Sequence, residues 1–396
     1  MTERKSNFPV LILGTYLTAL GTIRSLGAAG IRAYCITEQQ GFVRSSRWSR
    51  RPPHGCGHLS DPAELATYLR TLPLKRAVLM TCGDEWVQAV ATLEGELSDR
   101  FMTSQPSPET VGCFLDKGRF EQRLEALQID RPRSLALRAA EDLARAPVDK
   151  FGVFFLKPRH SRSFFKHYRV KAFMVQSLED AMARYRETSQ AGFEMMLQEY
   201  IPGPASSHFF IDGFIDRHQS LRTILSRQRL RMYPDNFGDS SYMVSIPLET
   251  VSDAVADLRR LLADVTYRGI FSAEFKRCEH DGRFKLIEVN TRPWAYIEFA
   301  TLCGANIAEM AYRDALGLDV PEVQDYKIGV CMVHLPNDFA AARNLYRLGE
   351  TGVSALVLSW LKARSTVFSW SDPIPALVWW GEIVFARFRR LMWRRK

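Results

Sequence analysis

GIFSAEFKRCEHDGRFKLIEVNTRPW, residues 269–294, is the stretch on which the reading of this chain turns. Ile270–Arg277 alternates apolar and polar residues, Glu279–Gly282 supplies turn chemistry, and Phe284–Val289 runs back. That pattern predicts an antiparallel hairpin. Glu274 falls in the first strand and Glu288 near the end of the second. Side chains alternate along extended backbone, so Glu288, Asn290 and Arg292 point the same way. Two carboxylates and a carboxamide are hard oxygen ligands, suited to Mg²⁺ shared with polyphosphate. The adjacent guanidinium can hold an anion in a fork. An exposed hairpin with solvated charges has the same local sequence, so the choice depends on what stands elsewhere in the chain.

The bulk numbers narrow the choice only a little. A chain of 396 residues, 46% hydrophobic and 24% charged, is long enough for two or three domains. Net charge is +9, which suits nucleic acid, an anionic membrane or anionic substrates. No nucleic-acid motif accompanies it, so no nucleic-acid partner is expected. The seven cysteines are odd in number, scattered and without a CxxC pair, as in reduced cytoplasmic proteins. His54-Gly55-Cys56-Gly57-His58 fits no usual zinc spacing and reads as a loop. The N-terminus lacks a secretory pattern, and no run of 18 apolar residues predicts a membrane span.

Upstream, Pro9–Leu13, Gly14, Tyr16–Ala29 and Ile31–Ile36 read as strand, turn, helix and strand. The glycines do not make GxGxxG, so a dinucleotide site is not expected here. Gly41–His58 is basic and broken by Pro52-Pro53, a loop over the sheet edge or near a substrate pocket. Ala77–Thr81 reads as a strand and Trp86–Leu97 as a helix. Asp84 and Glu85 lie between them, either at the ligand edge of an open sheet or as acids complementing a helix start. Asp116 is a plausible N-cap for a helix from Lys117 to about Leu127. Phe151–Pro158 is an apolar strand ending on Lys157, which either snorkels to water or meets an anion. Arg159–Lys171 is basic, aromatic and turn-like. Phe193–Ile201 reads as a strand carrying Gln198, Glu199, Tyr200 and Ile201, ended by Pro202-Gly203-Pro204. Strands at Phe209–Phe214 and Leu221–Gln228 follow, then a basic segment, Arg229–Gly238, and a helix over Val251–Val265.

These landmarks together resemble the ATP-grasp superfamily, in its carboxylate–amine ligase type. The resemblance covers roughly residues 8–320, and its motifs concentrate in 116–293: Asp116-Lys117, Lys157-Pro158, Gln198–Gly203, then Glu274, Glu288, Asn290 and Arg292. It implies a small parallel α/β domain before the ATP-grasp unit, over residues 1–113. An ATP-grasp domain would follow over 114–320, with a lid at about 150–200, and then a C-terminal extension over 321–396. It also implies an ATP- and Mg²⁺-dependent ligase acting on a small carboxylate and an amine, with homodimers common. By the same resemblance Lys117 and Lys157 neutralise ATP phosphates, and Gln198, Glu199, Tyr200 and Ile201 hold adenine. Glu274, Glu288 and Asn290 bind Mg²⁺, and Arg292, with Lys157, serves the transferring phosphoryl group. Arg227, Arg229 and Arg231 either line an acidic-substrate pocket or are strand-face charges, and Asp212 is a candidate ribose acid. The departure is the glycine-free segment Arg159–Lys171, where relatives carry a glycine-rich loop over phosphate. Either side-chain cations such as Arg162 and Lys171 substitute there, or the protein is a nucleotide-binding regulator or scaffold without full catalysis.

The resemblance ends before Pro373–Lys396, PIPALVWWGEIVFARFRRLMWRRK. From Leu377 onward six basic residues accompany one acid, with tryptophans among them, giving a local charge of +5. The segment reads either as an amphipathic helix touching an anionic membrane from the cytoplasmic side or as a terminal helix docked on the protein.

Overall fold

Pro9 and Gly14 bracket four apolar residues that form β1 (Val10–Leu13), buried on both faces. Around it lie β2 (Ala33–Cys35), β3 (Ser49–Arg50), β4 (Ala77–Thr81) and β5 (Phe101–Met102), all parallel, in the order β3-β2-β1-β4-β5. The computed structural model describes residues 8–37, 41–52, 59–144, 154–159, 161–235 and 237–393; the His54–His58 cluster lies outside these. Gly14 is required where it stands. Its φ is +139°, and a Cβ there would meet Cys82 Cβ at 2.6 Å. The helix expected over Trp86–Leu97 is two helices, Asp84–Ala91 and Glu96–Arg100, because Gly95 turns the chain at φ +58°.

The second sheet, over the segment expected as the lid, is antiparallel: β6 (Ser134–Ala136), β7 (Phe154–Pro158), β8 (Phe173–Val175) and β9 (Met195–Glu199), in the order β6-β9-β7-β8. The segment expected to be turn-like is instead largely the helix Ser161–Tyr168. The physical reason is aromatic burial. Phe164 is fully buried, and Phe164, Tyr168, Phe173 and Phe193 pack with ring centroids 4.7–5.7 Å apart. Helical spacing places Phe164 and Tyr168 on one face, and no glycine competes for a loop.

The third sheet comprises β10 (His208–Ile215), β11 (Leu221–Tyr233), β12 (Asp239–Ile246), β13 (Gly269–Arg277), β14 (Phe284–Asn290), β15 (Cys331–Val333) and β16 (Arg364–Ser365). Its order is β14-β13-β10-β11-β12-β15-β16. The hairpin expected over 269–294 is β13–β14, with Glu274 directly opposite Glu288. β11 runs through the segment expected to follow a shorter strand, as far as Tyr233. Helix Ser252–Asp264 buries Ala254, Leu258, Leu261 and Leu262 against this sheet's core. Each leucine so buried contributes about 1.5–3 kcal/mol. On the other side the sheet shares a core with the N-terminal unit: Leu20 and Ile23 of helix Tyr16–Ala28 join Ile297, Ala300, Ile307 and Ala311.

Beyond residue 321 the chain adds helices Leu335–Arg347, Val353–Lys362 and Ile374–Trp393. The last docks through Ala376 and Trp379, the latter against Phe42 and His334. No helix among the described residues is long and apolar enough to cross a membrane.

Candidate active site

Asp116 caps helix Lys117–Ala126, accepting from the amides of Gly118 (2.8 Å) and Arg119 (3.1 Å), so Lys117 is fixed at the first turn. Its ammonium donates to the Pro158 carbonyl (2.6 Å), at the end of the strand that carries Lys157. Lys157 donates to Gln198 Oε1 (2.7 Å), and Gln198 donates on to Ser134 and Glu121. Two lysines are thus held on the lid side of one cleft. Burial lowers the Lys157 pKa to about 7, with Lys117 adding repulsion; Lys117 itself is lowered to about 8 by burial, against the pull of Glu288. Arg159 bridges lid to cap, reaching Asp116 (2.8 Å) and Glu194 (3.2 Å).

The facing wall is the hairpin. Burial would raise the Glu274 carboxyl, but Arg229 at 3.1 Å and His208 at 2.8 Å overcome it and hold the group down at about 2. Glu288 moves the other way. It reaches water from the open side of the cleft, but crowding on its other sides and the Glu274 charge opposite raise its pKa. Asn290 donates to Glu288 (3.1 Å). Neighbouring carboxylates driven apart in this way are a frequent mark of functional sites. Three buried polar atoms on this side have no hydrogen-bond partner within the described residues: His208 Nε2, Thr291 Oγ1 and Trp294 Nε1. Buried polar atoms are rarely left so, except where a ligand, water or ion completes them. No cluster of three or more His, Cys, Asp or Glu occurs among the described residues. The donor set Glu274, Glu288 and Asn290 nevertheless fits Mg²⁺, which takes one or two carboxylates and fills its octahedron with phosphate and water.

Arg292 stands at the seam with the N-terminal sheet. It forks onto Asp84 (2.6 and 3.1 Å) and donates to the Pro293 carbonyl (3.1 Å). A guanidinium has five N–H donors, so about two remain to meet an anion. Burial works against its charge, and Asp84 more than restores it. Asp84 therefore serves the site as the partner of Arg292.

The remaining expected residues divide. Glu199 turns its carboxylate onto the Arg133 amide (2.9 Å), and Ile201 is buried just after β9. Tyr200 lies under Lys276 (4.6 Å from Nζ to the ring). Arg227 is buried on Asp212 (2.6 Å), so Asp212 is occupied inside the sheet and is not placed as a ribose acid. Arg231 pairs with Asp338 (2.7 Å) toward the C-terminal helices, away from Arg227 and Arg229. Of the three arginines, Arg229 is the one that reaches Glu274. Lys171 pairs with Asp239 (2.7 Å), tying lid to central sheet; the Arg162 side chain lies outside the described residues. Sequence reasoning missed His208, Glu121 and Lys276. The period-two rule held the signal for two of them: 208, 210 and 212 on β10 share a face with 272, 274 and 276 on β13.

A parallel N-terminal sheet, a four-stranded antiparallel sheet and a hairpin bearing paired acids make up the ATP-grasp fold, which this chain shares with solved ATP-grasp enzymes. Within it, residues 192–336 match the family described as "ATP-grasp in the biosynthetic pathway with Ter operon". The D-aspartate ligase of Enterococcus faecium (strain Aus0004) is 24% identical over 329 residues, spanning 79% of this chain and 77% of that protein. An N5-carboxyaminoimidazole ribonucleotide synthetase solved with ADP superposes at TM-score 0.65 and 13% identity, over 87% of this chain and 86% of that one. The carboxyaminoimidazole ribonucleotide synthase of Aspergillus clavatus, solved with ATP, gives 0.62 at 14% identity, over 81% and 80%. The biotin carboxylase domain of Hydrogenobacter thermophilus 2-oxoglutarate carboxylase, solved with MgADP and bicarbonate, gives 0.61 at 14%, over 82% and 73%.

Proposed function

We propose that the protein is an ATP-dependent ligase that activates a carboxylate as an acyl-phosphate and joins it to an amine. One observation carries this reading: two desolvated lysines, Lys117 and Lys157, face a cross-strand carboxylate pair, Glu274 and Glu288, over one cleft. Buried cations of lowered pKa gain most from a polyanion, and hard acidic ligands opposite them gain most from its counter-cation. Bound by Glu274, Glu288 and Asn290, Mg²⁺ would supply neutralisation of the phosphate oxygens. In the first step a carboxylate oxygen bonds to the γ-phosphorus of ATP, and the bond from that phosphorus to the bridging oxygen breaks, releasing ADP. In the second step the amine nitrogen bonds to the acyl carbon, phosphate leaves with the electron pair of the C–O bond, and the nitrogen loses a proton. Lys117 and Lys157 orient the phosphates, and Arg292, steadied by Asp84, offers its remaining N–H groups to the transferring phosphoryl group. Likeness to a D-aspartate ligase makes an acidic amino acid our first candidate substrate, with Arg229, 3.1 Å from Glu274, beside the proposed metal ligands.

The test is ADP release by the purified protein with Mg²⁺ and a panel of carboxylate–amine pairs that begins with D-aspartate. Amide product with stoichiometric ADP supports the ligase. A second reading, a nucleotide-binding regulator without turnover, draws on one observation: the helix Ser161–Tyr168 where a glycine-rich loop would wrap phosphate. Tight nucleotide binding that depends on Lys157, with no ADP formed from any pair, would favour it.

A further inference from the structure

The C-terminal helices wear their apolar residues on the wrong side for a water-facing surface. Of the exposed large hydrophobic side chains among the described residues, 14 of 23 lie between Phe339 and Phe385. Scattered exposed apolar residues need no explanation, whereas a concentration of them does. In helix Val353–Lys362 the inner face is fastened: Leu356 is buried, Ser359 accepts from Arg231 (3.0 Å), and Trp360 donates to Asp338 (2.6 Å). Val353, Val357, Leu358 and Leu361 turn outward at helical spacing, Leu361 being 78% exposed. Helix Ile374–Trp393 repeats the arrangement. Ala376 and Trp379 face in, while Leu377, Trp380 and Val384 form an outward stripe. Between the helices, Trp370 is 83% exposed and packs only its edge on Phe368 (4.9 Å).

The loop carrying Trp370 is clamped to a basic segment of the N-terminal unit. Asp372 is buried and accepts from Arg24 Nε (3.0 Å), Ser46 Oγ (2.7 Å) and the Arg47 amide (2.8 Å), and Arg47 donates to the Ser371 carbonyl (3.1 Å). Beside this clamp Arg44, Ser45, Ser49, Arg50 and Arg51 line a cleft of about 520 Å³. A basic segment 16 or more residues past the first helix and aromatic residues near residue 370 are therefore held together on one surface.

We propose that this surface docks on an anionic lipid bilayer. The apolar stripes and Trp370 enter the headgroup boundary, while Arg44, Arg50 and Arg51 face anionic headgroups. Charge selects this occupant over a second copy of the chain. Leu377–Lys396 carries six basic residues and one acid, so a second copy would oppose like charge with like charge.

The experiment is co-sedimentation of the full chain with vesicles of phosphatidylcholine alone and of phosphatidylcholine mixed with phosphatidylglycerol. Binding is expected only to the mixed vesicles and weakens as salt rises. Replacing Arg44, Arg50 and Arg51 by Ala lowers the partition coefficient about fivefold per charge. Trp370→Ser combined with Trp380→Ser lowers it further; Arg50, Arg51, Trp370 and Trp380 are exposed and Arg44 is half-buried, and the thermal midpoint of each variant is measured alongside to separate lost binding from lost folding. Replacing Arg186, Arg259 and Arg277 by Ala, three exposed arginines on other elements, leaves binding unchanged. Equal losses in the two arginine sets would reduce the effect to net charge and overturn the proposal. So would equal binding to neutral vesicles, or a concentration-dependent dimer that Trp370→Ser and Trp380→Ser abolish.

Discussion

Raising pH through neutrality should weaken nucleotide binding, and methionine at position 157 should remove most of that dependence. In the free protein Lys157 titrates at about 7 and Lys117 at about 8, as an interacting pair. A bound polyphosphate favours both charged forms, so nucleotide binding must return the missing protons. Each pH unit above the pKa costs about 1.4 kcal/mol. Between pH 6 and 8 Lys157 alone therefore weakens binding about tenfold, and Lys117 adds about twofold. Isothermal titration in buffers of different ionisation enthalpy reads the proton uptake directly, about one per nucleotide at pH 8. The same titration of Lys157→Met subtracts the nucleotide's own ionisation. Identical uptake by the two proteins would refute the argument. Stability must move with the opposite sign. The folded pKa of Lys157 lies below its unfolded value, so the folded state holds fewer protons between about pH 7 and 10. The destabilisation is full below pH 7 and fades as pH rises. Lys157→Met should therefore raise the thermal midpoint, most of all at low pH, while it weakens binding.

Other outcomes follow from the same geometry. Glu288→Gln and Asn290→Ala should each lower ADP formation by about 10²–10³ without changing the circular dichroism spectrum; near-normal turnover of Glu288→Gln at limiting Mg²⁺ would sink the metal assignment. Because the Glu288 carboxyl titrates above its usual range, the apparent Mg²⁺ affinity should fall as pH drops through the acid range, measured by metal titration. Asp84→Asn should loosen Arg292 and lower kcat by about 10²-fold with little change in the KM for ATP; a change in KM alone would mean that Arg292 serves binding only. Phe164→Ala should destabilise the lid by about 3–5 kcal/mol, visible as early proteolysis within residues 154–199.

The elements that sequence placed well are those whose signal is local. The hairpin, the Asp116 cap and the helix over 252–264 follow from alternation, capping chemistry and 3.6-residue spacing. Lys117, Lys157, Glu274 and Glu288 fall in strongly patterned segments, a helix start, a strand end and the two strands of the hairpin, so their positions along the chain were legible. The lid helix was not, because its burial depends on Phe173 and Phe193, partners outside the segment itself. The same limit hid the ion pairs. Asp84 and Arg292 are 208 residues apart, and Glu274 takes His208 as a partner from a strand 66 residues upstream. No window along the chain contains both members of such a pair. The C-terminal helix, left open between docking and exposure, does both on opposite faces.

The clamp on Arg24 bears on how the chain is made. This buried guanidinium is received by Glu298, by the carbonyls of Thr366, Val367 and Asp372, and by the Asp372 carboxylate, 348 residues downstream. At about 5–20 residues per second, a ribosome needs on the order of 20–70 seconds to travel that distance. Until the end of that interval helix Tyr16–Ala28 carries a cation whose set of acceptors is incomplete, and a buried charge without its partners costs several kcal/mol. The N-terminal sheet unit thus gains its last buried ion pair only when Asp372 is in place. A chain interrupted before Asp372 leaves that guanidinium without its carboxylate, which ties the integrity of the amino-terminal sheet unit to a segment hundreds of residues away.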